Sequence, residues 1–336
     1  MKPAVFFSGA TGFLGAEIAR KLASRGHALH ALARPDSDRS ALAGLDVHWH
    51  AGDLRDAESL ERAFESVCAA SETPWIVHAG ALISYQTRDR NRSREINVEG
   101  TRRMLEACRR HPVGRVLHVS SVVAVGPSLD GTILDERSAY HGDQLGCDYM
   151  TTKHEAELLA LNAAPWLDLV VVNPGAIFGA NGRTSNSQRV LHMIASGRTG
   201  PLPLLLAPPG SQSVVGLDDC AEGCVLALER GRRGERYLLV ESIWTHRELI
   251  GLVARRCGKK APIAVPRWIW AIAEICARAL DGAVRSDFFT PQTLRLARVD
   301  FKTSGARARA ELGWRPRAFE RVIDEMLESL KLKPPS

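Results

Sequence analysis

Pairing is what this sequence lacks. Its seven cysteines are scattered and odd in number, without the double short spacings of a zinc site or a disulfide scaffold. Cys220 and Cys224 fall on one helix face, but no second pair accompanies them. Reduced, mostly buried thiols and a cytoplasmic location are therefore expected. No apolar run is long enough to span a bilayer, since the stretch 268–277 is short and is interrupted by Glu274. It reads as a helix of a second lobe, with a surface-lying membrane helix as the alternative. For its Trp268 and Trp270 the expectation is core packing, the alternative a cap over a crevice. Residues Met1-Lys2-Pro3 lead straight into an apolar strand, with no basic leader and small-residue cleavage site, so no secretion is expected. Low-complexity tracts and solenoid repeats are also missing, which leaves an ordinary compact fold.

Charge of one sign is not segregated. The 336 residues carry 44 Lys and Arg against 38 Asp and Glu, a net charge of +6. The densest basic groups, at 88–94 and 230–233, have acidic neighbours or sit at an expected turn, so no nucleic-acid partner is expected. The excess still favours approach of anionic ligands.

What is present is alternation. Apolar runs at 4–8, 27–33, 47–50, 75–78, 116–120 and 167–172 are separated by helix-length segments, notably 12–24, 57–70, 96–110 and 149–162. This pattern specifies an α/β fold, a doubly wound parallel sheet of the Rossmann type. Leu169-Val170-Val171-Val172 reads as a strand covered on both faces. After about Gly182 the alternation decays, and the prolines at 201, 203, 208 and 209 exclude a long helix or a central strand there. Segments 218–229, 245–257, 267–280 and 319–330 look helical. The expected division is a nucleotide-binding domain over 1–180 and a smaller, mostly helical substrate lobe over 181–336, some of whose segments return to the sheet, with ligands in the crevice between them.

Ser8-Gly9-Ala10-Thr11-Gly12-Phe13-Leu14-Gly15 follows the first strand and opens a helix. Glycines at such a turn let backbone approach a pyrophosphate, while the helix aims free N–H groups at the anion. Where an NAD site places a carboxylate after the second strand, this chain has Ala33 followed by Arg34. A guanidinium suits a 2′-phosphate, with Ser37 or Arg39 as helpers, so NADP(H) is favoured. Asp36 and Asp38 keep NAD(H) open. Asp53 and Leu54 follow the third strand, where Asp53 either contacts adenine or caps a helix, as Asp56 would equally do. His78, Ala79 and Gly80 end the fourth strand with small residues that suit a chain passing beneath a cofactor.

Tyr149 and Lys153 stand four residues apart, on one helix face. The ammonium is expected to favour the phenolate and so to make Tyr149 a better proton donor and acceptor near neutrality. Ser120-Ser121, at the end of the preceding strand, supplies a hydroxyl to hold a substrate carbonyl beside the phenol.

The glycine loop, Gly52-Asp53-Leu54, Ile96-Asn97-Val98-Glu99-Gly100-Thr101, Ser120-Ser121, Tyr149 with Lys153, and Asn173-Pro174 have the order and spacing of the extended short-chain dehydrogenases/reductases. The resemblance runs to Ala310-Glu311-Leu312-Gly313-Trp314-Arg315-Pro316. It implies Ser121, Tyr149 and Lys153 as the catalytic triad, Ser120 being the neighbouring alternative. Tyr149 then exchanges a proton with the substrate oxygen, Ser121 orients that oxygen, and Lys153 holds the nicotinamide ribose. It also implies cofactor contacts at Pro174 and Ile177, and a homodimer paired through the helices near 96–110 and 149–162. Within the superfamily the chain most resembles bacterial dihydroflavonol 4-reductase-like proteins and hopanoid-associated sugar epimerases, on residues 34–40, 52–56, 229–231 and 234–237.

Departures from the nucleotide-sugar enzymes are informative. Their Arg-Pro-x-Asn-x-Tyr-Gly-Pro is here Asn173-Pro174-Gly175-Ala176-Ile177-Phe178-Gly179-Ala180, and Gln212 stands where a later pattern has the arginine that grips a sugar diphosphate. Val-Tyr-Gly becomes Ala124-Val125-Gly126. These changes favour reduction of a ketone or aldehyde to an alcohol, or the reverse, on a small and less charged substrate. The alternatives are an epimerase/dehydratase acting on a sugar derivative and a non-catalytic NADP(H)-binding protein. Loops 126–148, 177–187 and 201–210 are expected to form the pocket, with Leu202, Leu204, Leu205 and Leu206 as its apolar lining.

Overall fold

A computed structural model describes residues 2–180, 185–199, 204–279 and 289–332. Its strands are β1 (Val5–Ser8), β2 (Leu29–Ala33), β3 (Val47–Ala51), β4 (Trp75–His78), β5 (Val116–Val119), β6 (Leu169–Pro174), β7 (Ala176–Phe178), β8 (Leu206–Ala207), β9 (Ser211–Gly216), β10 (Arg236–Leu239), β11 (Ser242–Thr245) and β12 (Ile263–Ala264). Its helices are α1 (Phe13–Ser24), α2 (Ala57–Ala70), α3 (Arg90–Arg94), α4 (Gly100–Arg110), α5 (Asp148–Ala163), α6 (Asn186–Ala195), α7 (Leu217–Arg230), α8 (His246–Arg256), α9 (Arg267–Ala279), α10 (Pro291–Leu296), α11 (Ala306–Leu312) and α12 (Phe319–Ser329).

Seven strands form one parallel sheet in the order β10-β6-β5-β4-β1-β2-β3. The run 169–174 is buried throughout because helices cover both faces. Side chains of α1, α7 and α11 pack on one face, and those of α2, α4 and α5 on the other. The strand order reverses between β1 and β4, which opens a crevice at their carboxyl ends. This is the doubly wound architecture expected.

The second half of the chain is less purely helical than its sequence suggests. β10 joins the central sheet beside β6, while β7, β9 and β11 make a small mixed sheet and β8 pairs with β12. A core of α6, α8 and α12 residues lies beside them. Helix ends carry their own signals: Asp56, rather than Asp53, caps α2 by accepting from the Glu58 and Ser59 amides, and Thr245 with Glu248 forms a capping box on α8.

Two expectations need correction. The helix expected over 96–110 begins earlier, as α3 runs through a π turn, Glu95–Glu99, into α4. The basic group around it is partly neutralised there, Arg90 pairing with Asp148 and Arg94 with Glu155. Trp268 is not core: it is 66% exposed, while Trp270 is half-buried and donates to the Leu294 carbonyl at 2.8 Å.

Candidate active site

The loop after β1 is shaped for backbone to meet a ligand. Gly9 has φ +79°, and a Cβ there would lie 2.6 Å from the Gly80 amide nitrogen. A Cβ on Gly15 would overlap the Gly9 carbonyl oxygen. Gly12, whose amide bonds the Gly9 carbonyl, caps α1 without a side chain, and no acid occupies the first turn that follows Thr11 and carries Phe13 and Leu14. A pyrophosphate fits this cradle.

On the far side, Leu54 is buried with its methyl against the positions of Gly80 and Gly100. His78 is buried and bonded on both nitrogens, Nδ1 to the Ser8 hydroxyl at 2.6 Å and Nε2 to Thr101 at 2.9 Å. It ties the end of β1 to the first turn of α4, and burial beside Lys153 holds its pKa down at about 3. Ala79 and Gly80 continue from it toward the crevice. Pro174 closes β6, and Ile177 sits on β7 opposite Val215.

After β2 the Arg34 side chain is about half exposed and lies 3.3 Å from Asp36, while the Ser37 amide turns back to the Arg34 carbonyl. Arg39 instead lies over the Trp49 ring. Asp53 is held by the backbone amide and guanidinium of Arg55, so its carboxylate already has a partner, and both Arg55 and Arg34 depress its pKa. Arg55 had only its place in Gly52-Asp53-Leu54-Arg55 to reveal it. The result is two guanidiniums at the ends of β2 and β3.

Ser121 follows β5 and begins a short 3-10 turn, its hydroxyl accepting from the Val123 amide. Tyr149 and Lys153 occupy successive turns of α5, both buried. Ser121 lies close enough to Tyr149 for its hydroxyl to favour the phenolate, whereas the Ser120 hydroxyl is buried without a partner among the described residues. Lys153 Nζ donates to the Val119 carbonyl at 2.8 Å. The structure thus brings the three expected residues together.

Their electrostatics differ from expectation. Burial pushes Tyr149 up to about 12, and the Ser121 hydroxyl pulls it back only in part; Lys153 does not offset the burial. Burial also brings Lys153 down to about 8, against an opposing pull from Glu157. At neutral pH the phenol therefore keeps its proton and the lysine is still mostly an ammonium.

Several supporting residues escape a linear reading. Asn97, in the π turn, binds both the amide and the carbonyl of Leu82 and reaches Thr152 at 3.1 Å. Its signal was an Asn in mid-helix, where such a side chain competes with backbone. Tyr85 packs edge-on against Tyr149 with ring centroids 5.5 Å apart. Around Tyr149 gather Leu145, Met150 and Phe301, with Val123, Leu296 and Val299 beside them. Leu205 belongs to the second-lobe core and Leu204 is exposed, so neither joins this cluster. Leu202, with the expected loop segments 181–184 and 201–203, lies outside the described residues. Among the described residues no group of His, Cys, Asp and Glu is arranged to hold a metal ion.

Known proteins resemble this chain in sequence and in fold. Residues 5–239 match the model of the NAD dependent epimerase/dehydratase family. The chain is 33% identical to Sterol demethylase protein B of Methylococcus capsulatus over 92% of each chain. It is 28% identical to a 4-hydroxy-2-methyl-3-oxo-4-farnesyl-3,4-dihydroquinoline-1-oxide ketoreductase of Stigmatella aurantiaca, over 92% of this chain and 91% of that one. The crystal structure of gox2253 superposes with a TM-score of 0.83 at 29% identity, covering 98% of both chains.

Proposed function

This chain belongs to the NAD dependent epimerase/dehydratase family, as an enzyme of the extended short-chain dehydrogenase/reductase type, and we propose that it is an NADP(H)-dependent oxidoreductase interconverting a bulky, apolar ketone or aldehyde with its alcohol. The observation that carries the reading is Tyr149, a buried phenol beside Ser121 that packs among Tyr85, Leu145, Met150 and Phe301. Apolar walls select an apolar ligand, and the few polar groups orient its reacting oxygen.

In reduction, the nicotinamide when bound supplies a hydride to the carbonyl carbon. Ser121 orients the carbonyl oxygen, and Tyr149 gives it the proton that completes the alcohol. Lys153 holds the ribose through its ammonium, and its bond to the Val119 carbonyl fixes its direction. Oxidation runs the same steps backwards.

A sugar diphosphate is disfavoured by what occupies the arginine position of that pattern. Asn173 is fully buried and spends its amide on the Ser121 carbonyl and on Glu157, so it presents no cation to a ligand. The named substrates of the farnesylated quinoline ketoreductase and of the sterol protein point the same way. Preference for NADP(H) is supported by Arg34, next to the position where an acid would grip a ribose hydroxyl.

The test is oxidation of NADPH by the purified chain with cyclic and long-chain ketones, set against nucleotide sugars without added cofactor. Turnover confined to the ketones supports the reading. Epimerisation of a nucleotide sugar with tightly retained cofactor contradicts it.

A further inference from the structure

We propose that α9 is a docking surface for an anionic lipid bilayer, placed one helix away from the Tyr149 cluster. A helix on a soluble protein turns its apolar stripe inward. In α9 the reverse holds. Glu274, only 3% exposed, faces the protein and binds Arg278, Arg295 and Arg298 at 2.5, 2.9 and 2.5 Å. Trp270 ties the same side of the helix to α10. Outward stand Trp268, Ile269, Ile272 and Ile275, the first and last 66% and 64% exposed, with exposed Ile263 just before the helix. Three arginines locked on one buried carboxylate fix that orientation.

The occupant is chosen by charge. Residues 255–279 contain six exposed cations and a single acid, the buried Glu274; Arg256 pairs with Asp324, Arg267 with Asp300 and Arg278 with Glu274, so the excess positive charge is carried by Arg255, Lys259 and Lys260. A tryptophan and isoleucines on one face, in a stretch of chain with an excess of cations, suit the boundary between acyl chains and anionic headgroups. Neither α9 nor any other helix among the described residues is long and apolar enough to cross a membrane, so α9 would lie in the surface. A second copy of this chain would bring the same cations against one another.

Position gives the surface a use. α10 lies between α9 and the site: Gln292 bonds Asp148, the first residue of α5, Arg295 bonds the Leu145 carbonyl, and Leu296 packs in the Tyr149 cluster. A chain seated on α9 would hold α10, and through it the residues around Tyr149, next to the bilayer. This use rests on the apolar-substrate reading above.

The experiment is sedimentation of the full chain with phosphatidylcholine vesicles, with and without phosphatidylglycerol, at low and high salt. Wild type is expected to pellet with the anionic vesicles only, with a blue shift of tryptophan emission and release by salt. Trp268→Glu with Ile272→Glu should lower partitioning at least about tenfold, while NADPH binding and turnover of a water-soluble ketone stay unchanged. Absence of wild-type binding, or equal binding by the double variant, overturns the proposal. So does a dimer in vesicle-free solution that the double variant abolishes, since a second copy would then cover the face. Failure of NADPH turnover with every ketone, beside intact vesicle binding, would strike the functional reading and leave the docking surface standing.

Discussion

Glu157 lies one turn beyond Lys153 on α5, almost fully buried, and raises the lysine pKa against the burial that lowers it. It is itself held 2.8 Å from Arg236 on β10 and accepts from Asn173. A strand from the second half of the chain thus fixes a carboxylate under the ammonium.

Replacing that carboxylate should move a titration. Lys153, at about 8, makes ribose binding fall as pH rises through that value. Glu157→Gln removes the charge that opposes the shift, so the alkaline limb of kcat/KM should move to lower pH. A purely structural role would lower activity without moving the limb.

Nucleotide preference should follow Arg34. Hydrogen bonds to charged groups are worth about 1.5–3 kcal/mol, so Arg34→Ala should weaken NADPH binding by roughly ten- to a hundredfold and leave NADH nearly unchanged. Titration by fluorescence decides it, and tighter NADH than NADPH binding by wild type would contradict the assignment.

The glycine loop gives a steric prediction. Gly15→Ala places a methyl group into the Gly9 carbonyl oxygen, which should push the loop from its path and weaken both nucleotides at least about tenfold, or 1.4 kcal/mol. Normal affinity would mean that the pyrophosphate does not use this loop.

Much of this site was legible because its parts are local. A continuous apolar run suffices for a strand covered on both faces, as in β6, and Tyr149 with Lys153 needs only helical spacing. What escaped depends on distant partners. Arg236 meets Glu157 across 79 positions, and Asn97 acts through the main chain of Leu82. Trp268 escaped for another reason: an amphipathic pattern gives a helix two faces without saying which faces solvent, and Glu274 reverses them by drawing three arginines inward.

Stability should fall in acid through His30 on β2 and His50 on β3. His30 is lowered to about 4 by burial, then by His50 and His48, and His50 is lowered as well. Their unfolded forms titrate near 6.5, so below that value the unfolded chain binds more protons and folding weakens as pH drops toward about 4. Denaturant midpoints should decline across that window, and His30→Asn should flatten the decline; an unchanged slope would exclude the cluster.

The most direct test of the central claim is Tyr149→Phe, assayed for NADPH affinity and for turnover on a ketone that wild type reduces. Removing the proton donor should leave the dissociation constant within about twofold and cut kcat by about a hundredfold or more. Turnover at the wild-type rate would contradict the account.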